Sequence, residues 1–263
     1  MKDQQAFAEV NGTHLYYEIA GSGHPLVLLH GFTFDTRMWD EQFKAFARNY
    51  QVIRYDRRGS GKSAVPTEES YSGIEDLKAL LEHLRIDGAY LVGQSAGGAV
   101  AIDFALTYPE ATRALVLVDS GLGGYSWSQE PVGESIRTTA RESGVEAAKT
   151  QWLAKPLFAS AQEKPAVATR LAQIISDYSG WHLVNSDPER ALDPPAAQRL
   201  HEISVPTLII VGEHDLPDAH MIADTLEQIL NAHKVVLPSV GHMSNMEDSA
   251  QFNEVVLNFL AST

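Results

Sequence analysis

Tyr90-Leu91-Val92-Gly93-Gln94-Ser95-Ala96-Gly97-Gly98-Ala99 is the stretch on which the reading of the fold rests. Its first three apolar residues read as the end of a buried strand, and from Ala96 a helical run continues until Pro109 stops it. Ser95 stands at the junction, with glycine two places before it and two after. The two arms of so sharp a turn approach so closely that only small residues fit at those positions. Gly98 and Ala99 extend the small surface, so the helix can lie close on a sheet with its positive N-terminus aimed at whatever bonds Ser95. The pattern predicts a nucleophilic serine. Its plain alternative is a serine that caps a helix.

Outward from this turn, the same alternation repeats. Phe7 to Val10 and His14 to Ile19 flank Asn11-Gly12, the pair best suited to a type I′ hairpin. Apolar runs with little polar interruption follow at Leu26 to Leu29, Gln51 to Tyr55, Ala114 to Val118, Thr207 to Val211 and Lys234 to Leu237. Such runs suit strands covered on both faces. Helical patterns lie between them: Ser72 and Glu75 form a capping-box pair ahead of Ile74, Leu77, Leu80, Leu81 and Leu84, and the last helix carries Phe252, Val255, Val256, Phe259 and Leu260 on one face. A mostly parallel α/β sheet with helices on both faces is expected. The alternation lapses between residues 121 and 201, where prolines break amphipathic helical text and Ala161 to Tyr178 is the longest helix candidate. The expected organisation is therefore a core of residues 1–120 and 202–263 carrying a helical cap of residues 121–201.

Serine is a poor nucleophile at neutral pH, so it needs a base, and the base needs a carboxylate to orient it. His242 follows Lys234 to Leu237 in a loop before the last helix, and Asp215 follows Thr207 to Val211 by the short Gly212-Glu213-His214. Both stand at carboxyl ends of strands, where α/β sheets place their sites. Asp119 and Asp218 are rival acids. The oxyanion of an acyl transfer needs two donors, supplied in this reading by the backbone N–H groups of Ala96 and of Phe32, which follows Leu26 to Leu29 through His30-Gly31. His30 itself reads as a structural hydrogen-bonder. Trp127, Trp152, Phe158, Trp181 and Met243 are candidates for the substrate pocket, ordinary packing being the alternative for each.

Composition narrows the partners. The chain has 263 residues, 44% apolar and 21% charged, with a formal net charge of −14. That field repels nucleic acid and anionic membrane. Absence of cysteine removes disulfides and thiolate chemistry, and no histidine pair has zinc-ligand spacing, so neither a metal nor another cofactor is expected. Neither a signal peptide nor an apolar run of spanning length is seen, and a soluble cytoplasmic chain, monomer or homodimer, is expected. Gly61-Lys62-Ser63 imitates the end of a phosphate-binding loop, but Asp56 occupies the place of its first glycine and would repel a nucleotide.

Five segments occur in register: His30-Gly31-Phe32, Asp56 to Ser63, Gly93 to Gly97, Gly212 to Asp215, and Gly241-His242-Met243-Ser244-Asn245-Met246-Glu247. With the order Ser95, Asp215, His242 they give a chain that resembles the α/β-hydrolase-fold serine hydrolases from residue 7 to residue 261. The last segment and the Asp56 turn are similar to those of small esterases and enol-lactonase-like members, which implies hydrolysis of a small, largely neutral ester or lactone without a cofactor. Many members carry His, Leu or Asn where this chain has Gln94. The resemblance leaves open a carbon–carbon bond hydrolase or lyase on the same triad, and a ligand-binding member with little turnover.

Overall fold

The computed structural model describes residues 4–128 and 134–263. β1 (Gln4–Val10) and β2 (Thr13–Gly21) form the N-terminal hairpin, and Asn11 and Gly12 both adopt positive φ, 48° and 69°, as a type I′ turn requires. Six strands follow: β3 (Pro25–Leu29), β4 (Gln51–Tyr55), β5 (Ala89–Gln94), β6 (Thr112–Val118), β7 (Thr207–Gly212) and β8 (Ala232–Leu237). All eight join one sheet in the order β1-β2-β4-β3-β5-β6-β7-β8. β2 runs antiparallel to both its neighbours, whereas β3 to β8 are mutually parallel and so present their carboxyl ends at one edge.

Parallel strands need crossovers, and helices supply them. α1 (Asp40–Phe46) lies between β3 and β4, α2 (Gly73–His83) between β4 and β5, and α3 (Ala96–Thr107) between β5 and β6. Within β3 the alternation of side chains sorts the core into two layers. Leu26 and Leu28 pack with Phe43 and Phe46 of α1, while Val27 and Leu29 pack with Leu77 and Leu80 of α2 and Phe104 of α3. At the start of α2 only half of the expected capping box forms: Ser72 Oγ accepts from the Glu75 N–H, but the Glu75 carboxylate accepts from the Tyr108 hydroxyl at 2.8 and 2.9 Å instead of reaching back.

Between β6 and β7 the described residues form α4 (Glu134–Ser143), α5 (Val145–Leu153), α6 (Ala159–Gln162), α7 (Pro165–Asp177) and α8 (Trp181–Val184), with one isolated bridge between Glu189 and Tyr71. The single helix expected from Ala161 to Tyr178 is broken in two. Lys164 is extended (φ −107°, ψ 100°), because the residue before a proline is pushed out of the helical region and Pro165 has no N–H to continue the ladder. α7 is pinned to the core by Arg170–Asp40 and Asp177–Arg37 ion pairs. Three helices complete the chain: α9 (Pro217–Leu226) after β7, then α10 (Ser244–Glu247) and α11 (Ser249–Ala261) after β8. No helix among the described residues is long and apolar enough to cross a membrane.

Candidate active site

Ser95 sits between β5 and α3 with φ 51° and ψ −116°. A serine held there costs on the order of 1–3 kcal/mol, which the packing around it must offset. Its N–H donates to the Val118 carbonyl and its own carbonyl accepts from Gly121 N–H, each at 2.9 Å, tying the turn to β6. The small residues are needed as expected. A Cβ on Gly93 would stand 2.4 Å from the Gly97 carbonyl oxygen, and one on Gly97 would stand 2.3 Å from that of Leu29. Strand and helix can meet at this angle only without those carbons.

The structure brings the three residues of the expected triad together. His242 Nε2 lies 3.1 Å from Ser95 Oγ, and its Nδ1 lies 2.9 and 3.0 Å from the two Asp215 carboxylate oxygens. Asp215 is an acceptor only, so Nδ1 carries a proton in either charge state, and in the neutral imidazole Nε2 is left to accept the Ser95 O–H. The side chain of Asp215 is wholly buried and also accepts the Leu216 N–H at 2.6 Å. Burial opposes a charge on His242, but Asp215, with Asp119 and Glu247 further off, outweighs it and raises the imidazole pKa to about 9. Asp119, the first rival acid, does not touch the imidazole: its carboxylate accepts from Gly212 N–H (2.9 Å) and from the Ser244 hydroxyl (2.6 Å) and N–H (3.3 Å). Burial, then the nearby Asp215, pushes the Asp119 pKa up. Asp218 bonds Ser128 and the Tyr125 hydroxyl.

Ala96 and Phe32 both border the space in front of Ser95. Ala96 is the first residue of α3, so no carbonyl one turn back can take its N–H. Phe32 is held on several sides: its ring packs edge-on against Trp152 at 5.8 Å and against His182 at 5.8 Å, and its carbonyl accepts the Thr33 hydroxyl at 2.6 Å, which in turn accepts Trp152 Nε1–H at 2.8 Å. His30 is structural. Its Nδ1–H donates to the Gly31 carbonyl, its Nε2 accepts the Arg57 N–H at 2.9 Å, and burial with the Arg57 charge lowers its pKa to about 4. The Asp56 carboxylate closes its turn by accepting Thr36 and Lys62 N–H groups at 2.7 and 2.8 Å, which accounts for the pseudo-phosphate motif.

A cavity of about 260 Å³ opens from Ser95 and His242 toward the helical segment between β6 and β7, called the cap below. Of the pocket candidates, Trp127 and Trp152 form part of its wall. Phe158 instead lies behind Trp152, edge-on at 5.3 Å and fully buried, where it also packs against Phe34 and joins the apolar layer shared with β3 and α1. Trp181 faces an open groove beside Pro66 and Pro188, and Met243 is buried in the core beneath His242. Sequence reasoning missed Phe34, Leu157, Leu216 and Ala219, which also line the cavity. Phe34 and Leu216 each stand within two residues of a quoted motif, whereas Leu157 and Ala219 carried no signal. Gln94, singled out only as a departure, is buried and donates to the His242 carbonyl at 2.9 Å, fixing the histidine loop against the elbow. Among the described residues no group of three or more histidines and carboxylates is placed to hold a metal ion.

A model of the alpha/beta hydrolase family matches residues 26–255. A 2-hydroxy-6-oxononadienedioate/2-hydroxy-6-oxononatrienedioate hydrolase of Paraburkholderia phymatum is 32% identical over 269 residues, covering 95% of this chain and 92% of that one. A putative carbamate hydrolase of Azorhizobium caulinodans is 25% identical over 261 residues, covering 96% and 97%. Among solved structures, the enol-lactonase from Burkholderia xenovorans LB400 is similar with a TM-score of 0.83 and 26% identity, covering 97% of this chain and 100% of that one. With the strand order, the elbow and a family match over most of its length, the chain belongs to the alpha/beta hydrolase family.

Proposed function

We propose that this hydrolase cleaves a small, largely neutral carboxylic ester or lactone through Ser95, His242 and Asp215. The observation that carries the reading is the unbroken line from Ser95 Oγ through both imidazole nitrogens to Asp215 at the floor of an apolar cavity. His242 Nε2 takes the Ser95 proton as Oγ attacks the carbonyl carbon. The Ala96 and Phe32 amides hold the oxyanion, the leaving alcohol departs with the proton from Nε2, and an acyl-enzyme remains. Water then gives a proton to the same nitrogen and attacks the acyl carbon, and the carboxylic acid and free Ser95 are regenerated.

A second reading, hydrolysis of a carbon–carbon bond on the same triad, is favoured by the 32% identity to the Paraburkholderia enzyme. A dienedioate carries two carboxylates, and no arginine or lysine lines this cavity among the described residues. Burying an unpaired carboxylate costs far more than an apolar wall returns. This supports the neutral ester or lactone. The test is labelling by a serine-reactive fluorophosphonate together with turnover of nitrophenyl esters, aryl esters, lactones and a dienedioate, each against Ser95→Ala. Ester or lactone turnover lost in Ser95→Ala supports the proposal; labelled protein that binds but does not turn over any of them sinks it.

A further inference from the structure

Glu247, at the end of α10, has a wholly buried side chain that neither touches the cavity nor contacts the imidazole. Its carboxylate is nevertheless saturated with donors. Oε2 accepts from Gly241 N–H at 3.0 Å and Oε1 from Met243 N–H at 3.2 Å, the amides immediately before and after His242. Two further donors come from the cap: the Ser160 hydroxyl of α6 at 2.5 Å and the Lys164 ammonium at 3.2 Å, both on Oε2. Gly241 is shaped to this arrangement, since a Cβ there would stand 2.8 Å from Ser160 Cβ. Ser160 in turn follows Leu157 of the cavity wall by three residues.

We propose that Glu247 is a positioning residue for the His242 base, bracketing it by both flanking amides and setting it in register with the cap that forms the cavity wall. The inference rests on His242 acting as the base toward Ser95. A carboxylate is required because every group facing it is a donor. Glutamine offers one acceptor oxygen and turns an N–H₂ toward one of them, so the bracket opens on one side. Displacing a base by a fraction of an ångström costs rate rather than ground-state affinity. Electrostatics give a separate signature. The charges around His242 are Asp215 after β7, Asp119 after β6 and Glu247 from α10, with cap Lys164 on the last. Removing the Glu247 charge and leaving Lys164 in place makes the imidazolium easier to deprotonate.

The test compares wild type, Glu247→Gln and Ser160→Ala by the second-order rate of fluorophosphonate labelling of Ser95 and by nitrophenyl acetate kinetics across pH. Glu247→Gln is expected to lower the labelling rate and kcat by about 10- to 100-fold with KM little changed, and to move the midpoint of the pH profile downward. Ser160→Ala, which keeps both amide bonds and the charge, is expected to lose less rate and to hold the midpoint. Glu247→Gln protein that melts like wild type and matches its rate and midpoint overturns the assignment. Should Glu247→Gln fail to fold, Ser160→Ala with a wild-type rate overturns it. Wild-type protein that resists labelling and turnover alike defeats the serine-hydrolase reading first, and the Glu247 assignment falls with it, an outcome distinct from loss in the variants alone.

Discussion

Replacing Asp215 by asparagine changes one atom in the site and reverses the polarity of the line that runs to Ser95. In the wild type, Asp215 Oδ1 accepts the Leu216 N–H at 2.6 Å and stands 3.0 Å from His242 Nδ1, while Oδ2 is the nearer oxygen to that nitrogen, at 2.9 Å. The introduced asparagine must keep its carbonyl oxygen toward Leu216, since an N–H₂ there would meet another donor. Its amide nitrogen then takes the Oδ2 position and donates to Nδ1. The imidazole proton is thereby driven to Nε2, the nitrogen 3.1 Å from Ser95 Oγ, where a donor now stands in place of the base. The expected loss in kcat/KM is on the order of ten-thousandfold, the typical cost of holding this base in the wrong tautomer, or about 5.4 kcal/mol of transition-state stabilisation. Asp119 offers no substitute, because Gly212 and Ser244 already occupy its oxygens. The assay is nitrophenyl ester turnover corrected by the Ser95→Ala background, with circular dichroism to show that the fold persists. A loss smaller than about tenfold would refute the tautomer argument, and a loss confined to Asp119→Asn would transfer the role to that residue.

Two further outcomes follow from the same geometry. With His242 raised to about 9, the imidazole is mainly protonated at neutral pH, so the fraction of free base, and with it kcat/KM, should climb about tenfold per pH unit from pH 6 to 8 and level off near 9; a profile flat above pH 7 contradicts the raised value. Gly97→Ala puts a methyl 2.3 Å from the Leu29 carbonyl oxygen, a backbone atom that cannot swing away, and is expected to cost about 3 kcal/mol or more, seen as a lowered melting temperature; wild-type melting would mean that the elbow has room.

What could be read from the sequence was what local rules enforce. The Asn11-Gly12 turn, the glycines around Ser95 and the apolar runs of β3 to β7 are each dictated within a few residues, and they appear where the pattern places them. The convergence of Ser95, Asp215 and His242 was legible because each follows a strand that the parallel sheet ends at the same edge. The cavity wall was not. Phe158 and Trp152 are both aromatic and buried, yet only Trp152 faces the cavity, and that choice depends on how the cap helices pack on one another. Glu247 lay inside a quoted segment, but its contact with Ser160 spans 87 residues of chain, a pairing no periodicity encodes.

The cap is fastened in two unlike ways. At its inner seam the Glu247 carboxylate is wholly buried against half-buried Ser160 and Lys164, whereas its outer seam joins Arg170 to Asp40 and Arg37 to Asp177, where water reaches both partners of each pair. Dissolved ions shield the second kind and hardly reach the first: the screening distance shrinks from about 8 Å in physiological saline to about 3 Å at molar strength. Brine should therefore slacken the rim of the cap more than its root, and any effect on the admission of reactants is expected in KM rather than in kcat. Turnover whose KM and kcat both ignore added sodium chloride would show that the rim plays no part in admitting substrate.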